Sequence, residues 1–143
     1  MKALVLTAKK TPMQIKEARD PLLKAGLVNV RVHATALNHR DLWITKGMYA
    51  GIKYPMILGS DVAGVVEEVG KDVNADWVGR EVILNPSHLW GADDAFQGPD
   101  FEIMGLPKKG GFAEIVSIPV EYVHLKPEHL SFAQAAAIPL AGL

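Results

Sequence analysis

Over Leu27–Ala34 (LVNVRVHA), Val28, Val30, Val32 and Ala34 share one parity, and Leu27 followed by the polar Asn29, Arg31 and His33 the other. Side chains of a strand point to opposite faces in turn, so this stretch predicts a strand that buries valines and wets its other face, where His33 belongs. Lys2–Ala8 (KALVLTA) and Met13–Ala18 are shorter, rich in β-branched residues or alternating, and bounded by Thr-Pro, Asp-Pro and Gly breaks, so they read as two preceding strands. The spacing then changes. Asn38–Lys46 (NHRDLWITK) has room for about two helical turns, with Asn38 as N-cap, Asp41 in the first turn and Gly47 as the stop.

Leu58–Gly70 (LGSDVAGVVEEVG) is a dense apolar run broken by glycines and carrying acids. Gly59 suits a turn that needs positive φ, and Gly64 lets another segment approach a strand where a side chain would collide. Asp61 is a candidate functional carboxylate there; a bulged strand with a solvated aspartate is the plainer alternative. Asp61–Val69 and Arg80–Leu84 are expected as strands, joined by a turn-rich connection. Asn85–Gly111 loses periodicity while Gly, Pro and acids accumulate, which predicts a long excursion. Phe112–Ile118 and Glu121–Leu125 return to strand patterning, and SFAQAAAIPL predicts a helix with Ser131 and Gln134 at capping-box spacing, running up to Pro139. Many short strands with few helices imply an all-β barrel or a sandwich-like body.

With 143 residues, 49% of them hydrophobic, the chain has material for one domain with its own core. Its net charge of −1 offers no basic footprint, so neither nucleic acid nor a membrane surface is an expected partner. The absence of cysteine excludes disulfides and thiolate metal sites. Ala3–Leu6 is too short for the apolar region of a signal peptide, and no apolar segment reaches the roughly 18 residues of a membrane helix. A soluble, cytoplasmic protein is expected.

The chemistry-bearing motifs are mostly missing. No G-x-G-x-x-G follows a strand, and Gly64–Lys71 fails as a phosphate loop. The histidines at 33, 39, 88, 124 and 129 include no i, i+3 or i, i+4 pair and no H-E-x-x-H, so no histidine-built zinc site is predicted. His88 is expected to pack or stack beside Trp90, and His124 and His129 to lie on the surface. No G-x-S-x-G marks Ser60, Ser87, Ser117 or Ser131 as a nucleophile. Polar density remains at Asn38, His39, Arg40, Asp41 and Trp43 and at Ser60 and Asp61, in two segments bounded by core-forming sequence. Two such segments can line one cleft, the usual build of a small-molecule site; a capped helix start beside an unrelated turn is the alternative.

In order along the chain, KALVLTA, LVNVRVHATALNHRDLWITKG, GSDVAGVVEEVGKDV, VGREVI, GGFAEIVSIP and LSFAQAAAIPLAGL resemble the GroES-like catalytic domain of the medium-chain dehydrogenase/reductase superfamily. That superfamily includes zinc alcohol dehydrogenases and zeta-crystallin-like quinone oxidoreductases. The resemblance implies a mainly β fold, a GroES-like partly open β-barrel with a few short helices. Residues 1–130 would form the catalytic (substrate) domain, and residues 131–143 would begin the helix and linker toward a Rossmann domain. Zinc members carry Cys at the position of Asn38 and a His-Glu pair at Ser60 and Asp61; these replacements imply no catalytic zinc. They also fold a four-cysteine lobe into the region of Asn85–Gly111, which here would be held by Trp90, Phe96, Phe101 and Met104.

The resemblance further implies hydride transfer between NADP or NAD and a small carbonyl or quinone substrate, in an enzyme that is a homodimer at full length. The dinucleotide would be bound mainly by the Rossmann domain. The chain stops at PLAGL, where that domain would begin, so by itself it is expected to be inactive. Asn38, Ser60 and Asp61 are the expected catalytic residues, with Arg40 as a further donor. Asn38, His39, Arg40 and Trp43 would face the cofactor: Asn38 and Trp43 the nicotinamide or substrate, His39 or Arg40 the phosphates. Asp41 would shape the cleft. Two rival readings stay open: a GroES-like module that associates through Ile138, Leu140 and Leu143, and a zinc alcohol dehydrogenase with altered ligands.

Overall fold

Short β-prone stretches, each ended by Gly, Pro or a polar turn, form eleven strands and two short helices in the computed structural model, which describes residues 1–142. In chain order they are β1 (Lys2–Leu6), β2 (Gln14–Glu17), β3 (Leu27–Ala36), α1 (His39–Thr45), β4 (Met56–Ile57), β5 (Asp61–Val69), β6 (Glu81–Leu84), β7 (Ser87–His88), β8 (Glu102–Met104), β9 (Pro107–Lys108), β10 (Ile115–Pro119), β11 (Val123–Leu125) and α2 (Phe132–Ala136). The central sheet has the order β10-β3-β5-β6-β11, and every pairing in it is antiparallel. A second sheet, β2-β1-β4, joins the body through an Ala3–Ala113 bridge, and β7-β8-β9 form a third. The three sheets do not close into one hydrogen-bonded barrel, so the barrel is partly open.

Alternation sets the core. Val28 and Val30 of β3, Val62 and Val66 of β5, and Val82 and Leu84 of β6 are buried together with Ile118. Each fully buried residue of this kind contributes about 1.5–3 kcal/mol. At Gly64 the β3 backbone comes so close that a Cβ would strike the Arg31 carbonyl oxygen. A second cluster of Leu6, Ile57, Leu58 and Phe112 holds Ile44, which anchors the inner face of α1.

Four expectations are corrected here. The polar face of β3 is not wet throughout, because Asn29 is buried and its Nδ2 donates to Glu68 Oε2 at 3.1 Å. His33 is exposed, as its parity predicts, and stacks on Phe132 with ring centroids 4.4 Å apart. The region 85–111 is not structureless: it carries β7-β8-β9, and Trp90 meets Phe101 edge-on at 5.2 Å. Phe96 does not help to hold it, being 64% exposed, whereas Met104 belongs to the main core. His88 stacks on Tyr122, not Trp90, at 4.0 Å, and burial lowers its pKa.

α2 begins as its capping box predicts: Ser131 Oγ accepts from the Gln134 N–H at 3.3 Å, and Gln134 Oε1 accepts from the Ser131 N–H at 3.0 Å. It ends at Ala136, short of Pro139, and packs Ala135 and Ala136 against Ala63 of β5. The connection into α2 is pinned by buried Lys126, whose Nζ donates to the Leu130 carbonyl at 2.6 Å and pairs with Glu81 at 3.1 Å. Of the apolar residues expected to meet a partner, Ile138 is exposed, Leu140 is half-buried, and Leu143 lies outside the described residues.

Candidate functional site

The register of the central sheet brings the two polar segments together. Ala36, the last residue of β3, pairs with Asp61, the first of β5, so the residues after β3 lie beside the turn that precedes β5. That turn requires Gly59: its φ is +98°, and a Cβ there would collide with the Phe112 ring. Thr35 Oγ1 donates to the Asp61 carbonyl at 2.6 Å and fixes the strand end.

Asn38 caps α1 in an extended conformation, and Asp41 Oδ2 reaches back to accept its backbone N–H at 2.9 Å. The Asn38 side chain faces the neighbouring turn instead: Nδ2 donates to Asp61 Oδ2 at 2.8 Å. The other carboxylate oxygen, Asp61 Oδ1, accepts the Leu140 N–H at 2.7 Å. Asp61 is 1% exposed, so both of its oxygens are satisfied inside the protein.

Arg40 lies on the inner side of the same helix start. Nη1 donates to Ser60 Oγ at 2.6 Å and to the Met104 carbonyl at 2.9 Å, and Nη2 donates to the Leu106 carbonyl at 3.2 Å. Ser60, fully buried, donates its hydroxyl proton to the Met104 carbonyl at 2.8 Å. These bonds define what the two side chains do within this domain. Arg40 is a buried clamp between α1 and the 85–111 lobe, and the Ser60 hydroxyl proton is committed to a backbone acceptor. Burial lowers the Arg40 pKa, partly offset by the Asp41 charge; burial raises that of Asp41 against the pull of the Asn38 N–H and the Arg40 charge. The guanidinium nevertheless stays protonated. Asp41 Oδ1 lacks a hydrogen-bond partner, and the Gly59 backbone N–H is among the groups that favour the charged carboxylate against burial.

The outer side is open. Asn38 is half-buried, His39 is exposed, and Trp43 is 41% exposed with Lys46 Nζ 4.8 Å above its ring. His39 and Trp43 are four residues apart and share a helix face. Met13, Leu37, Asn38, His39, Asp41, Leu42 and Thr45 line a cavity of about 340 Å³, apolar apart from its few polar groups.

Residues 24–128 match the alcohol dehydrogenase GroES-like domain. The chain belongs to this family. This GroES-like domain is 35% identical over 153 residues to an alcohol dehydrogenase of Geobacillus stearothermophilus, covering 100% of this chain and 45% of that protein. It is 34% identical over 126 residues to a chloroplast envelope quinone oxidoreductase homolog of Arabidopsis thaliana, covering 86% and 33%. A crystal structure of an NAD-dependent alcohol dehydrogenase superposes with a TM-score of 0.90 at 35% identity, covering 98% of this chain and 43% of that one. The chain thus spans less than half the length of these relatives. Its fold is the GroES-like domain of medium-chain dehydrogenases/reductases.

Asn38, Ser60 and Asp61, which the resemblance sets at the metal position of zinc members, are a poor donor set for a zinc ion. An amide, a buried hydroxyl and one carboxylate are present, and no group of three or more His, Cys, Asp or Glu suited to a metal occurs among the described residues. The carboxylate already holds two N–H donors, and the hydroxyl lies 2.6 Å from a guanidinium nitrogen, whose positive charge would oppose a bound cation. The partners that seal Arg40 and Asp61 include the carbonyls of Met104 and Leu106 and the N–H of Leu140. Sequence reasoning missed all three, since backbone groups carry no residue-type signal.

Proposed function

We propose that this domain forms the substrate half of an NAD(P)-dependent oxidoreductase that reduces a quinone, enone or aldehyde, or oxidises the corresponding alcohol, without zinc. The observation that carries this reading is the bond from Asn38 Nδ2 to buried Asp61 Oδ2 at 2.8 Å. A carboxylate only accepts, so it dictates which edge of the amide faces it. One Nδ2 hydrogen is spent on Asp61, and the other has no acceptor among the described residues, on a residue that lines the cavity. Asn38 is then a preorganised donor for the substrate oxygen, on which negative charge builds as the carbonyl accepts hydride. A donor of this kind contributes about 2.7–4 kcal/mol to the transition state.

The dinucleotide, held mainly by a companion nucleotide-binding domain, would supply or take up the hydride. On this chain Asn38, His39 and Trp43 would meet it or the substrate. Trp43 and Leu42 would exclude water from the reacting atoms, which strengthens the Asn38 bond. Asp61 orients Asn38 and does not touch substrate. Arg40 and Ser60 hold the wall in place.

Chelation tests the metal-free part of this reading. The enzyme containing this domain, dialysed against EDTA until free of metal, should keep its full NAD(P)H-dependent rate. A rate that disappears on chelation and returns with added zinc would overturn the proposal.

A further inference from the structure

Asp61 joins two parts of the molecule that are far apart in sequence. Oδ2 accepts from the Asn38 side chain at 2.8 Å and Oδ1 from the Leu140 backbone N–H at 2.7 Å, and Asp61 takes part in no ion pair among the described residues. A buried carboxylate without a cation depends on its N–H donors for solvation. If the Leu140 donor withdraws, the carboxylate must turn toward another donor or admit water, and either change alters the grip on Asn38. Below the segment that carries Leu140, α2 is held by its alanine packing and by Lys126. Above it, a turn closes from the Gly142 N–H to the Ile138 carbonyl at 2.7 Å. The alanine-packed helix anchors one end of this stretch, and the Leu140 bond to Asp61 is its side-chain tie to the site.

We infer that Asp61 is a positioning residue that transmits the placement of the 137–140 segment to the Asn38 donor, so that the site is set only when this segment is docked. This rests on the reading of Asn38 as the substrate-facing donor. The regulation is mechanical: a partner body that pulls on the segment after α2 changes the orientation of one amide across the sheet.

The test uses the ¹⁵N-labelled chain and follows the shift and hydrogen exchange of the Asn38 side-chain amide by NMR. Leu140→Ala keeps the backbone N–H and should leave the Asn38 signal unchanged. Leu140→Pro removes that N–H and should speed Asn38 exchange about ten-fold or more, as a local opening does when it becomes easier. A chain ending at Ile138 should behave like Leu140→Pro, and it serves as the second variant should proline disturb folding. Asp61→Asn, which cannot accept from both donors as the carboxylate does, should also release Asn38. If Leu140→Pro and the shortened chain both leave the Asn38 amide as in the parent while Asp61→Asn frees it, the coupling is refuted. The proposed hydride chemistry would survive that result, since it needs only the Asn38–Asp61 bond.

Discussion

Asn38 and Arg40 stand two residues apart at one helix start, and they face Asp61 and Ser60, themselves neighbours on one turn. The pairs nevertheless differ in kind. Arg40 donates to Ser60 and to two backbone carbonyls, and Ser60 donates to one of those same carbonyls, inside the protein. Asn38 spends one hydrogen on Asp61, has no acceptor for the other among the described residues, and is one of the residues lining a cavity. One pair closes the wall, and the other equips it. What separates a structural polar group from a chemical one here is spare hydrogen-bonding capacity at an accessible surface, and residue type does not report that.

The sealed pair offers the largest effect. Arg40→Met leaves the Leu106 carbonyl and the Ser60 hydroxyl oxygen without their donor in the interior, while the Met104 carbonyl keeps only Ser60. Urea unfolding should show a loss of about 3–5 kcal/mol. Stability unchanged within error would mean that the clamp is not what holds the lobe to α1. Ser60→Ala is milder, because Arg40 still donates to the Met104 carbonyl, and it should cost about 1 kcal/mol.

Asp41 lies between the two pairs and makes the comparison sensitive to pH. Burial raises its folded-state pKa above the unfolded value, so the folded chain holds this proton more readily. The stability this contributes is fully present below the unfolded pKa and is lost as pH rises through the folded one. The stability difference between the parent and Asp41→Asn should therefore move against the parent as pH climbs through that window. A difference independent of pH would contradict the burial of Asp41. The smallest stability effect belongs to the open side: Trp43→Ala should alter stability by no more than about 0.5 kcal/mol, while KM for substrate rises in the enzyme.

Much of the scaffold was legible in the sequence, for reasons that stay local. The alternation of Leu27–Ala34 announced β3, Gly59 and Gly64 marked a positive-φ turn and a close backbone approach, and Asn38 and Ser131 marked helix starts. β7 and β9 were not legible, because a strand of two residues has no period to read. Asn29 broke its parity because a cross-strand partner, Glu68, satisfies it under cover. The grouping of Asn38 with Asp61 followed from motif order, and the closure of Arg40 did not, because its acceptors are carbonyls of a lobe more than sixty residues away.

The division between the two pairs is tested most directly by measuring hydride-transfer rate and unfolding free energy side by side for Asn38→Ala and Ser60→Ala in the enzyme containing this domain. Asn38→Ala should lower kcat by about 10²–10³ at a stability cost of about 1–2 kcal/mol, while Ser60→Ala keeps kcat within about three-fold of the parent, which is well under 1 kcal/mol in the barrier. A Ser60→Ala enzyme that loses activity as Asn38→Ala was expected to, beside an Asn38→Ala enzyme that turns over normally, would contradict the assignment.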